Sequence, residues 1–160
     1  MIDTNVAMNR QFELFRKVAN LPHSRGALWW ANNDLIKERN KMFNQNDTHE
    51  GHPLLSVSQQ EPTQCFDTIP MLVGTTGKKM SYKTKQGCVC VVGMTKCDPT
   101  HETYFGSIIQ PGRYGIDEIL SSLKKRKHQK WTMRPNKDKP MVSADEKRAL
   151  DDWCEKHGLL

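Results

Sequence analysis

A chain of 160 residues, 36% of them hydrophobic, is long enough to bury a core without disulfides, so one domain with decorations is expected. A formal net charge of +6 points to an anionic partner, of which nucleic acid is the commonest for a small basic protein. No run of eighteen apolar residues occurs, and residues 1–20 interleave polar with apolar groups. This excludes a membrane-spanning helix and a signal core, so a cytoplasmic protein with no membrane partner is expected.

In chain order, Met8, Phe12, Phe15 and Ala19 recur at helical spacing behind Thr4 or Asn5 as N-cap, and Pro22 follows. They predict an amphipathic helix within an N-terminal segment 1–24. Residues 27–31, Ala-Leu-Trp-Trp-Ala, read as a short strand broken by Asn32-Asn33-Asp34. Its two tryptophans point to opposite faces. One enters the core, and the other lies under the N-terminal helix or stays open for stacking. Residues 35–48 are polar and form a short helix or a loop; Asp34 just before them and Glu38 and Asp47 within them show no arrangement that specifies a metal.

Strands are then predicted at 54–58, 69–73, 88–94 and 104–109, separated by segments rich in Pro, Gly, Asp and Thr. Short strands at this density imply a small, strongly curved antiparallel sheet or barrel, mainly β, with helices at both ends. Polar chemistry sits at the strand ends: His49 and His52 before the first of these strands, and Thr75, Thr76, Lys78 and Lys79 after the second. The five cysteines are odd in number and scattered, which suits thiols in a reducing compartment. Cys88, Cys90, Cys97 and His101 lack the CxxC turn of structural zinc sites, so buried small hydrophobes are the better reading and no cofactor is expected.

Beyond Pro111-Gly112, Ile116, Ile119, Leu120 and Leu123 sit at helical spacing. A basic segment follows, opening on Lys124, Lys125, Arg126 and Lys127 and holding Trp131. Cations for phosphates beside an aromatic ring for a base suit single-stranded RNA; the same run also reads as a solvated helix end and linker. Ser143-Ala144-Asp145-Glu146 is a capping box, and the helix it opens should dock back through Leu150 and Trp153 before Gly158. The chain thus divides into segments 1–24, 25–123 and 124–160.

The Trp-pair strand, then Gly51-His52-Pro53-Leu54-Leu55-Ser56-Val57-Ser58, then Ile69-Pro70-Met71-Leu72-Val73-Gly74-Thr75-Thr76 resemble in order and spacing the MazF/PemK-type toxins of type II toxin-antitoxin systems. The similarity spans roughly residues 25 to 110. It implies an SH3-like barrel that dimerises, cleaves single-stranded RNA without metal to leave 2′,3′-cyclic phosphate and 5′-hydroxyl ends, and is inhibited by an antitoxin segment over the groove. The family carries a catalytic Arg before the Pro, where this chain has His52. Arg stays cationic and braces a phosphorane, whereas His trades a proton near neutral pH.

On this reading His52 is the acid or base with His49 as partner, Thr75 and Thr76 bind the scissile phosphate, and Lys78 or Arg25 supplies charge. Two other classes compete. A non-catalytic nucleic-acid-binding barrel would use the basic segment and Trp131, and an interaction module would take an antitoxin-like or other acidic peptide. No phosphate loop, dinucleotide fingerprint or HExxH is present, which argues against nucleotide-dependent chemistry.

Overall fold

The computed structural model describes residues 24–58, 68–95, 97–115, 118–119 and 132–159. Their elements are β1 (Leu28–Asn32), α1 (Asn33–Arg39), β2 (Gly51–Ser56), β3 (Thr68–Thr75), α2 (Tyr82–Gln86), β4 (Val89–Val92), β5 (Glu102–Phe105), β6 (Gly112–Gly115), β7 (Met133–Pro135) and α3 (Ala144–Lys156). All strand pairs are antiparallel, in the order β4-β5-β3-β2-β1-β7. β3 is the hub: it pairs with β2 through Met71–Val73, with β6 through Thr68–Met71 and with β5 through Gly74–Thr75. The expected mainly-β architecture is present. Among the described residues the sheet does not close into a barrel, because β4 and β7, the ends of the order, do not pair.

The strands read as unbroken apolar runs because both faces of the sheet are covered. Alternation sends Trp29, Ala31, Leu54, Ile69, Met71 and Val73 to one face, where Ile36 of α1, Phe43 and Tyr114 pack on them. The intervening Leu28, Leu55 and Leu72 go to the other face, where Val89, Val91 and Phe105 join them under Leu150, Trp153 and Cys154 of α3. The capping box is formed: the Ser143 hydroxyl accepts from the Glu146 N–H at 3.2 Å, and Glu146 Oε1 accepts from the Ser143 N–H at 2.9 Å. Glu146 also fastens the helix to the sheet, accepting from the Val92 N–H at 2.8 Å and from Lys139 Nζ at 2.7 Å. Trp153 docks as the sequence implies, and its indole N–H donates to the Gly87 carbonyl at 2.9 Å.

The N-terminal helix and the basic segment 124–131 lie outside the described residues. Of the helix expected at 116–123, only Glu118 and Ile119 are described; they are helical, and Ile119 is buried in the core. β7 adds an edge to β1, so the C-terminal segment joins the same sheet. No helix among the described residues is long and apolar enough to cross a membrane.

Candidate functional site

The loop after α1 is held by its own short polar side chains. Asn40, Asn44 and Asp47 each turn a side-chain oxygen onto the N–H two residues on, at Met42 (3.1 Å), Asn46 (3.0 Å) and His49 (2.9 Å). Such Asx turns order a loop without helix or ladder. The Asn33 amide donates to the Asp47 carbonyl at 2.7 Å, and the Asp47 N–H donates to the Asn44 carbonyl at 3.1 Å. The Asp47 carboxylate is thereby fixed beside the start of β2.

Two imidazoles converge on it. His52 Nε2 lies 3.2 Å from Asp47 Oδ1, and His49 Nδ1 lies 3.1 Å from the same oxygen. Burial pushes the Asp47 carboxyl up, but the His49 backbone N–H and the hydrogen bonds from His52 and His49 outweigh it and hold the group below its ordinary value. It is an anion at neutral pH. The side chains of Asp47 and His52 are 14% and 13% exposed and that of His49 is 74% exposed, so an inner pair carries one outer member. Phe43 packs edge-on against the His52 ring, with centroids 5.3 Å apart.

β2 can begin here because Gly51 has no side chain. A Cβ there would lie 2.3 Å from Trp30 Cζ2 and 2.4 Å from the Ala31 carbonyl oxygen. The Trp30 ring instead lies against the start of β2, with the Arg134 guanidinium 4.9 Å from its centroid.

A cleft of about 650 Å³ runs from these groups to the end of β3. In the sheet β3 lies between β2 and β5, so Thr75 and Thr76 separate the His52 wall from one formed by His101 and Thr103. Lys79 and Asn136 also line the cleft. Gly77, at φ +76°, turns the chain between Thr76 and Lys79, and a Cβ there would meet the Tyr104 ring at 2.7 Å. His101 Nδ1 is buried and has no hydrogen-bond partner among the described residues.

No protein-family model, curated protein or solved structure matches this chain. The case for the site is its geometry.

Of the residues that the sequence nominates, His49, His52, Thr75, Thr76 and Lys79 line this one cleft, while Lys78 is exposed outside its lining. Arg25 is not brought to it. Its guanidinium pairs with Asp151 at 3.3 Å and reaches the Leu159 carbonyl at 3.5 Å, tying the chain before β1 to α3. Lys124, Lys125, Arg126, Lys127 and Trp131 lie outside the described residues.

Asp47 corrects the sequence reading: it has partners, because the Asx turns fold the loop back on His52. The cysteines expected as buried small hydrophobes correct it too: Cys88 and Cys90 are half-buried and Cys97 is exposed. Burial pushes the Cys88 thiol up, and burial with the Glu102 charge does the same to Cys90, so neither offers a ready thiolate. Of the expected tryptophan pair, Trp29 is the core member and Trp30 the cleft member.

Proposed function

We propose that this cleft binds single-stranded RNA and cleaves it by attack of a ribose 2′-hydroxyl on the adjacent phosphate, in the manner of the MazF/PemK-type toxins that the sequence resembles. The observation that carries the reading is the Asp47–His52 pair, 3.2 Å apart in the cleft wall. With its Nε2–H given to Asp47, His52 uses Nδ1 to take the 2′-hydroxyl proton, and the carboxylate stabilises the imidazolium that forms. The O2′–P bond forms as the P–O5′ bond breaks. Thr75 and Thr76 donate hydrogen bonds to the non-bridging oxygens, and Lys79 offsets their charge. His101, beyond the threonines, enters the step as the imidazolium and gives its proton to the leaving 5′-oxygen. The products are a 2′,3′-cyclic phosphate and a 5′-hydroxyl. Trp30, with the Arg134 guanidinium over its ring, lines the cleft where a neighbouring base would lie.

A histidine where the family has arginine fits this division of labour, because the partly buried carboxylate beside it suits a group that exchanges protons. The reading carries with it the family's SH3-like form of the sheet, a homodimer, and an antitoxin segment that covers the groove. Its test is incubation of long single-stranded RNA with the protein in EDTA, with cleavage sites and end chemistry mapped for wild type, His52→Ala and Thr76→Ala. Discrete cuts ending in cyclic phosphate, slowed about 10²-fold or more by His52→Ala, are expected. Cuts that persist in both variants refute the assignment. Intact RNA retarded in a salt-dependent way replaces it with a binding-only module.

A further inference from the structure

We infer that Asp47, His49 and His52 form a binding site for a divalent transition-metal ion of the zinc type, and that the ion shuts the cleft's acid–base chemistry off by occupying His52. The three side chains each offer one ligand atom, a carboxylate oxygen, His49 Nδ1 and His52 Nε2, and all three atoms lie within 4.8 Å of one another. Two of the three separations, 3.1 and 3.2 Å from Asp47 Oδ1, are within a few tenths of an ångström of the roughly 3.3–3.6 Å edge of a tetrahedron whose metal–ligand bonds are about 2.0–2.2 Å long. The third edge closes by rotation of His49, the exposed member, whose ring centroid is 5.3 Å from that of His52.

The donor set is two imidazoles and a carboxylate, nitrogen and oxygen ligands that zinc accepts, with the outer side left for water. The scaffold is preorganised. The Asp47 backbone is pinned by Asn33 and Asn44, and the His52 ring is backed by Phe43. Charge agrees as well: Asp47 is anionic, and among the described residues its only ion-pair partners are the two histidines. A divalent cation would therefore replace two imidazole N–H donors without displacing a lysine or arginine. In sequence the set reads Asp-x-His-x-x-His, from the last turn of the loop into β2.

The ion site does not depend on the proposed ribonuclease activity; only its inhibitory consequence rests on that reading. Binding is therefore measured first, by calorimetric titration of metal-stripped protein with Zn²⁺ alone, and by the visible spectrum with Co²⁺. The expected result is one ion per chain, a Co²⁺ spectrum lacking thiolate charge-transfer bands, and affinity at least about tenfold weaker in both His49→Ala and Asp47→Asn. His49 is exposed, so His49→Ala keeps the informative arm clear of misfolding. No binding at millimolar Zn²⁺, affinity unchanged in the variants, or a thiolate spectrum overturns the site.

Cleavage is measured second. The Zn²⁺ concentration that halves the rate should rise in His49→Ala by the same factor as the dissociation constant, whatever that variant's own rate. Full cleavage with the site saturated overturns the inhibitory role. Zn²⁺ binding as described, on a protein that never cleaves RNA, overturns the ribonuclease and leaves the ion site standing.

Discussion

Glu146→Gln isolates the junction between α3 and the sheet. The carboxylate serves three donors: Oε1 takes the Ser143 N–H (2.9 Å) and the Lys139 ammonium (2.7 Å), while Oε2 takes the Val92 N–H (2.8 Å). Glutamine keeps the shape but has one acceptor, so its amide nitrogen must face a donor on one side. The rotamer that satisfies Ser143 and Lys139 turns that nitrogen on the Val92 N–H. An unsatisfied partly buried donor and a weakened partly buried ion pair together cost about 2–4 kcal/mol. For a chain of this size that lowers Tm by roughly 5–12 °C.

Urea unfolding followed by tryptophan fluorescence reads the difference, and pH supplies a second check. Burial raises the Glu146 carboxyl, but Lys139 and the Ser143 and Val92 N–H groups outweigh it, so its folded value is below the ordinary 4.5. A depressed carboxyl contributes stability above its unfolded value and loses it as pH falls through the folded value. The gap between wild type and Glu146→Gln should therefore be constant near neutrality and shrink on acidification below about 4.5. A gap under about 0.5 kcal/mol at neutral pH, or one that persists in acid, refutes the junction.

Two further outcomes are expected. Asp47→Asn should slow RNA cleavage about 10²-fold or more with an unchanged circular dichroism spectrum, since it removes the carboxylate that orients His52 and stabilises its imidazolium; unaltered single-turnover rates would contradict this. Gly51→Ala should destabilise by about 1–3 kcal/mol and shift tryptophan emission, because the new methyl meets the Trp30 ring and a backbone carbonyl; a melt and spectrum identical to wild type would show that β2 has room.

The strands that carry the core were legible because burial on both faces makes them continuous apolar runs, as at Leu54-Leu55 and Met71-Leu72-Val73. β6 and β7 were not: Gly-Arg-Tyr-Gly and Met-Arg-Pro are too short to show a period and hold Gly or Pro, and tertiary pairing, not propensity, makes them strands. α2 escaped for the opposite reason, as a single turn capped by Ser81 with no buried residue to give a period. In the site, His52, Thr75 and Thr76 were readable from their places at strand ends. Asp47 was not, because only the succession of Asx turns at Asn40, Asn44 and Asp47 itself returns it to His52. Arg25 misled in the other direction: a cation next to a strand says nothing of the acid that will claim it, here Asp151 from the far end of the chain.

The cover of the second sheet face is the last described helix, and that fixes an order of events during synthesis. The face of Leu28, Leu55, Leu72, Val89, Val91 and Phe105 is encoded well before Leu150 and Trp153, which shield it. At about 5–20 residues per second, the roughly fifty residues between Phe105 and the end of α3 take several seconds to emerge. For that interval the face lacks the cover that α3 supplies among the described residues. Asn136 of the cleft and the Lys139–Glu146 fastening are made in the same late window. An activity housed in this cleft would thus need residues 132–159 as well as the strands that precede them.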